Sequence, residues 1–329
     1  MAPRLKAEAY IEGIRQGDRV MLARAITLVE SIRPDDQKLA QSVLNALLSQ
    51  TGQSLRIGLS GPPGVGKSTT MDALGMQLIT AGHQVAVLAI DPSSQVGGGS
   101  ILGDKTRMPR LGASEHAFIR PSPAGKSLGG VAEKTREALL LCEAAGYDVV
   151  IVETVGVGQS EIMVSQLVDT FVALMLPNAG DELQGIKKGI IEVADIIAIN
   201  KADGPMAAIA SRAKREHENA LHYSRQRLEG WSVPVVLMSA LEQVGLQDLW
   251  ATVQRHHQFM RDNGHFHRRR SEQRTQWMWN HIQNQLLVHF HQHPQVQDQL
   301  EAVELLVRDG ALSPVTAAKR LLKLQSIQD

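Results

Sequence analysis

Apolar residues along this chain fall in two patterns. From residue 55, short runs of almost continuous Val, Ile and Leu recur: LRIGLS (55–60), QVAVLAI (84–90), AFIR (117–120), YDVVIVE (147–153), DTFVALML (169–176), ADIIAIN (194–200) and VPVVLMS (233–239). Runs this uniformly apolar suit strands covered on both faces. Each interval has room for a crossover helix, which predicts a doubly wound, mainly parallel sheet. Residues 1–50 instead carry helical periodicity. Asp18 is placed to cap a helix with Val20, Met21, Ala23, Ile26 and Val29 on one face. Pro34 opens another, with Asp35 and Asp36 favourable at its positive end. After residue 245 the strand runs stop, and 245–263, 270–292, 295–309 and 313–325 read as helices. The expected layout is an α/β core over 51–263, a helical extension over 1–50 and a helical arm over 264–329.

Composition narrows the setting. The 329 residues carry a formal net charge of zero, so no global field favours nucleic acid or an anionic membrane. The single cysteine, Cys142, forms no internal disulfide and suits a reducing cytosol. The opening MAPRLKAEAYIEG lacks the apolar core of a signal peptide. No apolar run reaches the roughly 18 residues of a membrane span. A cytoplasmic protein is expected, with neither nucleic acid nor membrane as a partner.

The chemistry begins where the first strand ends. GPPGVGKS matches G-x-x-x-x-G-K-[ST] between a strand and a helix, the context this phosphate loop requires. Its residues are Gly61, Pro62, Pro63, Gly64, Val65, Gly66, Lys67, Ser68 and Thr69. The glycines let backbone N–H groups turn toward phosphates, and the helix N-terminus adds partial positive charge. Lys67 can reach the β- and γ-phosphates, and the Ser68 hydroxyl suits Mg²⁺. A second GKS, Gly125-Lys126-Ser127, follows no comparable strand and carries little weight.

Asn200, Lys201 and Asp203 form N-K-x-D at another strand end. A carboxylate at Asp203 can accept from the N1–H and exocyclic amine of guanine; adenine would leave it unpaired. Lys201 can lay its stem over the base. Ser239 and Ala240, followed by Leu241, match the weaker S-A motif, whose backbone N–H can meet guanine O6. Two more carboxylates, Asp91 and Glu153, close strands. In a parallel sheet these ends open on one crevice, so both are candidates for Mg²⁺, directly or through water. Asp91 could instead orient the attacking water, and either acid could be a helix cap or a strand-end ion pair.

GPPGVGKST, AIDPSS, GGSILGDKTRM, VETVGVGQSE, LPNAGDELQGIKKGI and NKAD together closely resemble the MeaB/ArgK family of P-loop GTPases. That family chaperones adenosylcobalamin-dependent methylmalonyl-CoA mutase. The resemblance covers essentially the whole chain. It implies binding and hydrolysis of GTP with Mg²⁺, coupled to cofactor loading and to protection or reactivation of the mutase. It makes Glu153 the magnesium-region acid and Gly156 the γ-phosphate-sensing glycine, and it places Asp91 and Asp104 near Mg²⁺. It assigns Asp181, Glu182, Lys187 and Lys188 to a switch that signals to the mutase. It also implies a homodimer to which the C-terminal arm contributes. Alternatives within reach of the resemblance are metal delivery, as in nickel-inserting relatives, and a kinase linked to amino-acid transport.

Lys67, Asp91 and Glu153 are thus the expected catalytic set, with Gln159 and Arg107 as further candidates for the phosphoryl charge or the water. Gly156 and Gly158 permit backbone motion between nucleotide states. Hydrolysis is expected to be slow alone and faster with the partner. His289, His291 and His293 do not make a metal site, because only the first and last share a helix face. HFHRRR (265–270) reads as a solvated helix start or a partner contact.

Overall fold

The computed structural model describes residues 5–90, 107–121, 128–154, 160–178, 184–222 and 228–325. It divides into two units, Met1–Gln273 and Arg274–Asp329.

The first unit is built on seven strands: β1 (Leu55–Ser60), β2 (Val85–Ile90), β3 (Ala117–Pro121), β4 (Val149–Thr154), β5 (Thr170–Met175), β6 (Ile196–Ile199) and β7 (Val235–Leu237). Their order is β3-β2-β4-β1-β5-β6-β7, and every pairing is parallel. All seven apolar runs are therefore strands, and the sheet is wholly rather than mainly parallel. The four central strands are buried from end to end, apart from half-buried Leu55, because helices cover both faces. β1 and β4 lie side by side, with Leu59 opposite Glu153. The order reverses direction around β1, the switch point at which α/β sheets open a ligand crevice.

The helices are α1 (Ala7–Arg15), α2 (Arg19–Glu30), α3 (Pro34–Leu47), α4 (Lys67–Thr80), α5 (Pro109–Ala113), α6 (Leu128–Ala144), α7 (Ser160–Ser165), α8 (Gln184–Val193), α9 (Ala207–His222) and α10 (Leu246–Asp262). Then come α11 (His265–Gln292), α12 (Pro294–Arg308) and α13 (Pro314–Gln325). Asp18 caps α2 by accepting from the N–H of Val20 at 2.8 Å and of Met21 at 3.2 Å. The buried face of α2 matches the expected one only in part. Ile26 and Val29 face inward as expected, but Val20 is 61% exposed, Met21 and Ala23 are half-buried, and Leu22 and Ala25 fill the inward positions. The helix packs on α1, α3 and α6, so its core stripe is set by three neighbours rather than by the cap.

α11 starts five residues earlier than the pattern implied. Gly264, at φ 69°, breaks the chain after α10, and the basic run 265–270 is already helical. Two of its arginines are not solvated. Arg270 is 5% exposed and grips Asp169 with Nε at 2.8 Å and Nη2 at 2.7 Å, while also donating to the carbonyls of Gly52 and Ser54. Arg269 forks onto Asp195 at 3.1 Å through both terminal nitrogens. Nearby, Arg56 pairs with Glu143 at 2.8 and 3.0 Å. This is a charge cluster under the strand N-termini, buried except for the partly exposed Arg269.

In the second unit, α12 and α13 close a small core of Val303, Ala317 and Leu321, with Phe290, Leu300 and Leu324 against it.

Candidate nucleotide site

β1 delivers the chain into the loop 61–66, and each bend there has a steric reason. A Cβ on Gly61 would stand 2.5 Å from the carbonyl oxygen of Leu174 on neighbouring β5. Gly66 sits at φ 97°, and a Cβ there would come 2.6 Å from the Asn200 side chain. Only glycine fits at both positions. Val65 is fully buried and pins the loop's underside, and α4 begins at Lys67 directly after the left-handed Gly66. The helix therefore aims its free N–H groups out of the loop.

Lys67 curls back over this loop, its Nζ donating to the carbonyl of Gly61 at 2.8 Å. Burial lowers its pKa. The negative charges of Glu153 and Glu161 oppose that shift, and the positive charge of Arg107 adds to it. Charges from three separate segments thus act on the lysine. Glu153, 8% exposed near the end of β4, is the expected acid. Glu161, 3% exposed in the first turn of α7, is one that reading the chain did not single out, although it closes the quoted GQSE. An acid in the first turn of the helix after a strand-end acid was the available signal. Beside them, the hydroxyls of Ser60 and Thr154 meet at 2.6 Å, joining the ends of β1 and β4.

The N-K-x-D segment lies on the other side of the loop. The Asn200 amide nitrogen donates to the Val65 carbonyl at 2.7 Å, and its oxygen accepts from the Ala240 N–H at 3.0 Å. One buried amide thus ties the phosphate loop, the N-K-x-D strand end and the S-A loop together. Lys201 adopts φ 60°, and Ala202 N–H bonds the Met238 carbonyl at 3.0 Å, so the segment turns sharply toward the S-A loop. Asp203 is half-buried, Ser239 and Ala240 are buried, and Leu241 stands 76% exposed. Gly245 closes that loop, where a Cβ would come 2.3 Å from the Leu237 carbonyl oxygen.

Gly61, Pro62, Pro63, Gly64, Val65, Gly66, Lys67, Ser68, Thr69, Glu153, Asn200, Lys201, Asp203, Ser239, Ala240 and Leu241 lie at or just beyond the C-terminal ends of β1, β4, β6 and β7. Asp91, Asp104, Gly156, Gly158, Gln159, Asp181, Glu182 and the second GKS fall outside the described residues. Lys187 and Lys188 belong to α8, and their side chains lie outside the description.

A parallel sheet, a phosphate-cradling loop at its switch point and an N-K-x-D segment tethered to that loop define a P-loop GTPase. The chain belongs to the MeaB family of methylmalonyl-CoA mutase-associated GTPases, whose model matches residues 22–295. It is 52% identical over 322 residues to a Caulobacter vibrioides protein named as a GTPase, with 98% of each chain covered. It is 47% identical over 321 residues to the mouse mitochondrial methylmalonic aciduria type A homolog, covering 94% of this chain and 77% of that one. A solved structure described as an LAO/AO transport system kinase superposes with a TM-score of 0.77 at 36% identity, over 99% of both chains. The protein is a GTPase that binds GTP and GDP.

Proposed function

We propose that this GTPase serves an adenosylcobalamin-dependent methylmalonyl-CoA mutase, coupling its nucleotide state to cofactor loading and to protection or reactivation of that enzyme. The family match over residues 22–295 carries the reading.

In hydrolysis, the oxygen of a water bonds to the γ-phosphorus and the bond to the β–γ bridging oxygen breaks. GDP leaves with the electron pair, and the water's protons pass to phosphate and solvent. Lys67 lies on the loop where the phosphates are cradled, and entry of the triphosphate gives its ammonium better acceptors than the Gly61 carbonyl. The half-buried Ser68 hydroxyl and the Glu153 carboxylate are hard oxygen donors at one end of the sheet, a set that fits Mg²⁺. Bound there, Mg²⁺ would neutralise phosphate charge. Asp91 and Asp104 complete the proposed magnesium set. Gly156, Asp181, Glu182, Lys187 and Lys188 are the proposed relay toward the mutase.

A homodimer is part of the reading. Trp279, Ile282 and Leu286 follow helical spacing along α11 and are 53%, 36% and 58% exposed, an apolar stripe that suits a second copy. The lone buried thiol of Cys142 fits a cytoplasmic setting. No helix of the described residues is long and apolar enough to cross a membrane.

Co-purification with the mutase tests the proposal, using GDP and a non-hydrolysable GTP analogue in parallel. Complex formation that differs between the two supports it. No complex in any nucleotide state overturns it.

A further inference from the structure

β1 and β4 stay in register as far as Leu59 opposite Glu153. One residue later they lean on different neighbours. Ser60, the last residue of β1, lies opposite Ala173 on β5, and Thr154, the last residue of β4, lies opposite Ile90 on β2. The shared register thus stops at the switch point, between the strand that enters the phosphate loop and the strand that carries Glu153. A side-chain bond carries the join one residue further: the Ser60 and Thr154 hydroxyls meet at 2.6 Å, and both residues are fully buried.

The surroundings of this pair are apolar. Ile57, Leu59, Val150, Ile151 and Val152 are buried along the same two strands. A Cβ on Gly58, which shares the face of Ser60, would stand 2.9 Å from Val164 on α7. Replacing both members of a buried hydrogen-bonded pair by apolar groups of the same shape is close to neutral for stability, so core packing alone does not account for two hydroxyls here. The bond fixes geometry instead. Successive strand residues point to opposite faces, so Glu153 projects from the face opposite Thr154. The two share a peptide unit, and tying Thr154 to Ser60 therefore sets the direction in which Glu153 leaves the strand. At the other end, Ser60 is followed by Gly61, whose carbonyl accepts from Lys67.

We propose that Ser60 and Thr154 are positioning residues for hydrolysis: their bond fixes the Glu153 carboxylate relative to the phosphate loop, and so relative to Ser68, its proposed partner in holding Mg²⁺. Neither hydroxyl takes part in the chemistry. The inference rests on the magnesium reading of Glu153 and is independent of the mutase.

Two measurements on the full chain test it: single-turnover GTP hydrolysis across a Mg²⁺ titration, and the affinity of a non-hydrolysable GTP analogue with and without Mg²⁺. Ser60→Ala and Thr154→Val should each slow hydrolysis about 10-fold and raise the Mg²⁺ concentration for half-maximal rate by a similar factor, the scale expected when a metal ligand loses its outer support. Analogue affinity without Mg²⁺ should stay at the wild-type value, whereas the gain on adding Mg²⁺ should shrink. Thr154→Ser keeps the hydroxyl and should behave as wild type. The double variant, Ser60→Ala with Thr154→Val, decides between positioning and packing. Both single changes break the same bond, so the double variant should be no slower than either. It leaves neither hydroxyl behind, so its urea-unfolding stability should return toward wild type while its rate does not. Wild-type rate and Mg²⁺ dependence in the double variant would mean that the two hydroxyls only satisfy each other, and would overturn the proposal, as would single variants that hydrolyse like wild type. Glu153→Gln separates this failure from that of the reading beneath it: if that change leaves Mg²⁺ dependence untouched, the magnesium role of Glu153 falls, and the positioning role with it.

Discussion

At the residue scale, Asn200 shows how one side chain builds a site without touching the reaction. Its amide bonds the Val65 carbonyl and the Ala240 N–H, groups 135 and 40 residues away in sequence. Asn200→Ala leaves both buried groups unpaired, at about 1–3 kcal/mol each. Weaker GTP and GDP binding together is the expected result, read by nucleotide titration. Asp203 should behave differently. Asp203→Asn replaces an acceptor with an amide that can donate, so preference should move from GTP to XTP, by about 100-fold in relative affinity. Glu153→Gln should reduce Mg²⁺-dependent hydrolysis while leaving base preference unchanged; equal effects of the Asp203 and Glu153 changes on base preference would refute this division. The phosphate loop and N-K-x-D segment were legible in the chain because their spacing is local and each residue type has one geometric use. The Asn200 tether and Glu161 were not, because what they act on lies on other strands and helices.

At the scale of elements, the strands were readable because a sheet covered on both faces must be apolar along its length. The basic run at the start of α11 was misread for the complementary reason. Arginines mark a surface unless buried carboxylates answer them, and those carboxylates, Asp169 and Asp195, sit 74 to 101 residues away. Burial alone would push the Asp169 carboxyl upward, but its bonds and ion pair with Arg270 outweigh that and hold its pKa below the usual carboxylate range. A depressed folded-state pKa contributes stability that is present above the unfolded value, about 3.9, and is lost as pH falls through the folded value. Arg270→Ala removes the partner and leaves a buried charge, a loss of about 3–5 kcal/mol at pH 7. In the variant, burial raises the Asp169 pKa, so protonation relieves the penalty on acidification. The gap in urea-unfolding free energy between wild type and variant should therefore narrow from pH 7 toward pH 4. A gap constant with pH would mean that lost packing, such as the Arg270 guanidinium 4.4 Å from the Phe266 ring centroid, dominates instead.

At the scale of the whole molecule, the described residues of the candidate nucleotide site all lie in Met1–Gln273, while the proposed dimer stripe belongs to the arm. The N-terminal helices were legible as helices, but the inward face of α2 was legible only at Ile26 and Val29, because three packed neighbours decide the rest. For the arm, the sequence announced helices and left open which face is unpartnered. In the structure, Trp279, Ile282 and Leu286 are exposed along α11, with Met278 and Leu287 flanking them at 51% and 58%. An exposed apolar row of this kind suits the proposed interface. Leu286→Glu with Leu287→Glu places two carboxylates in the row at little cost to the monomer, because both side chains are already solvated. The paired change should convert a dimer to a monomer by sedimentation equilibrium. Each of the described nucleotide-site residues named above comes from Met1–Gln273. Intrinsic GTP hydrolysis per chain should therefore stay within about threefold of wild type, since surface substitutions away from a site change stability by only about 0.5 kcal/mol. An unchanged dimer would remove the arm from the interface. A monomer with hydrolysis abolished would mean that the second copy completes the catalytic site.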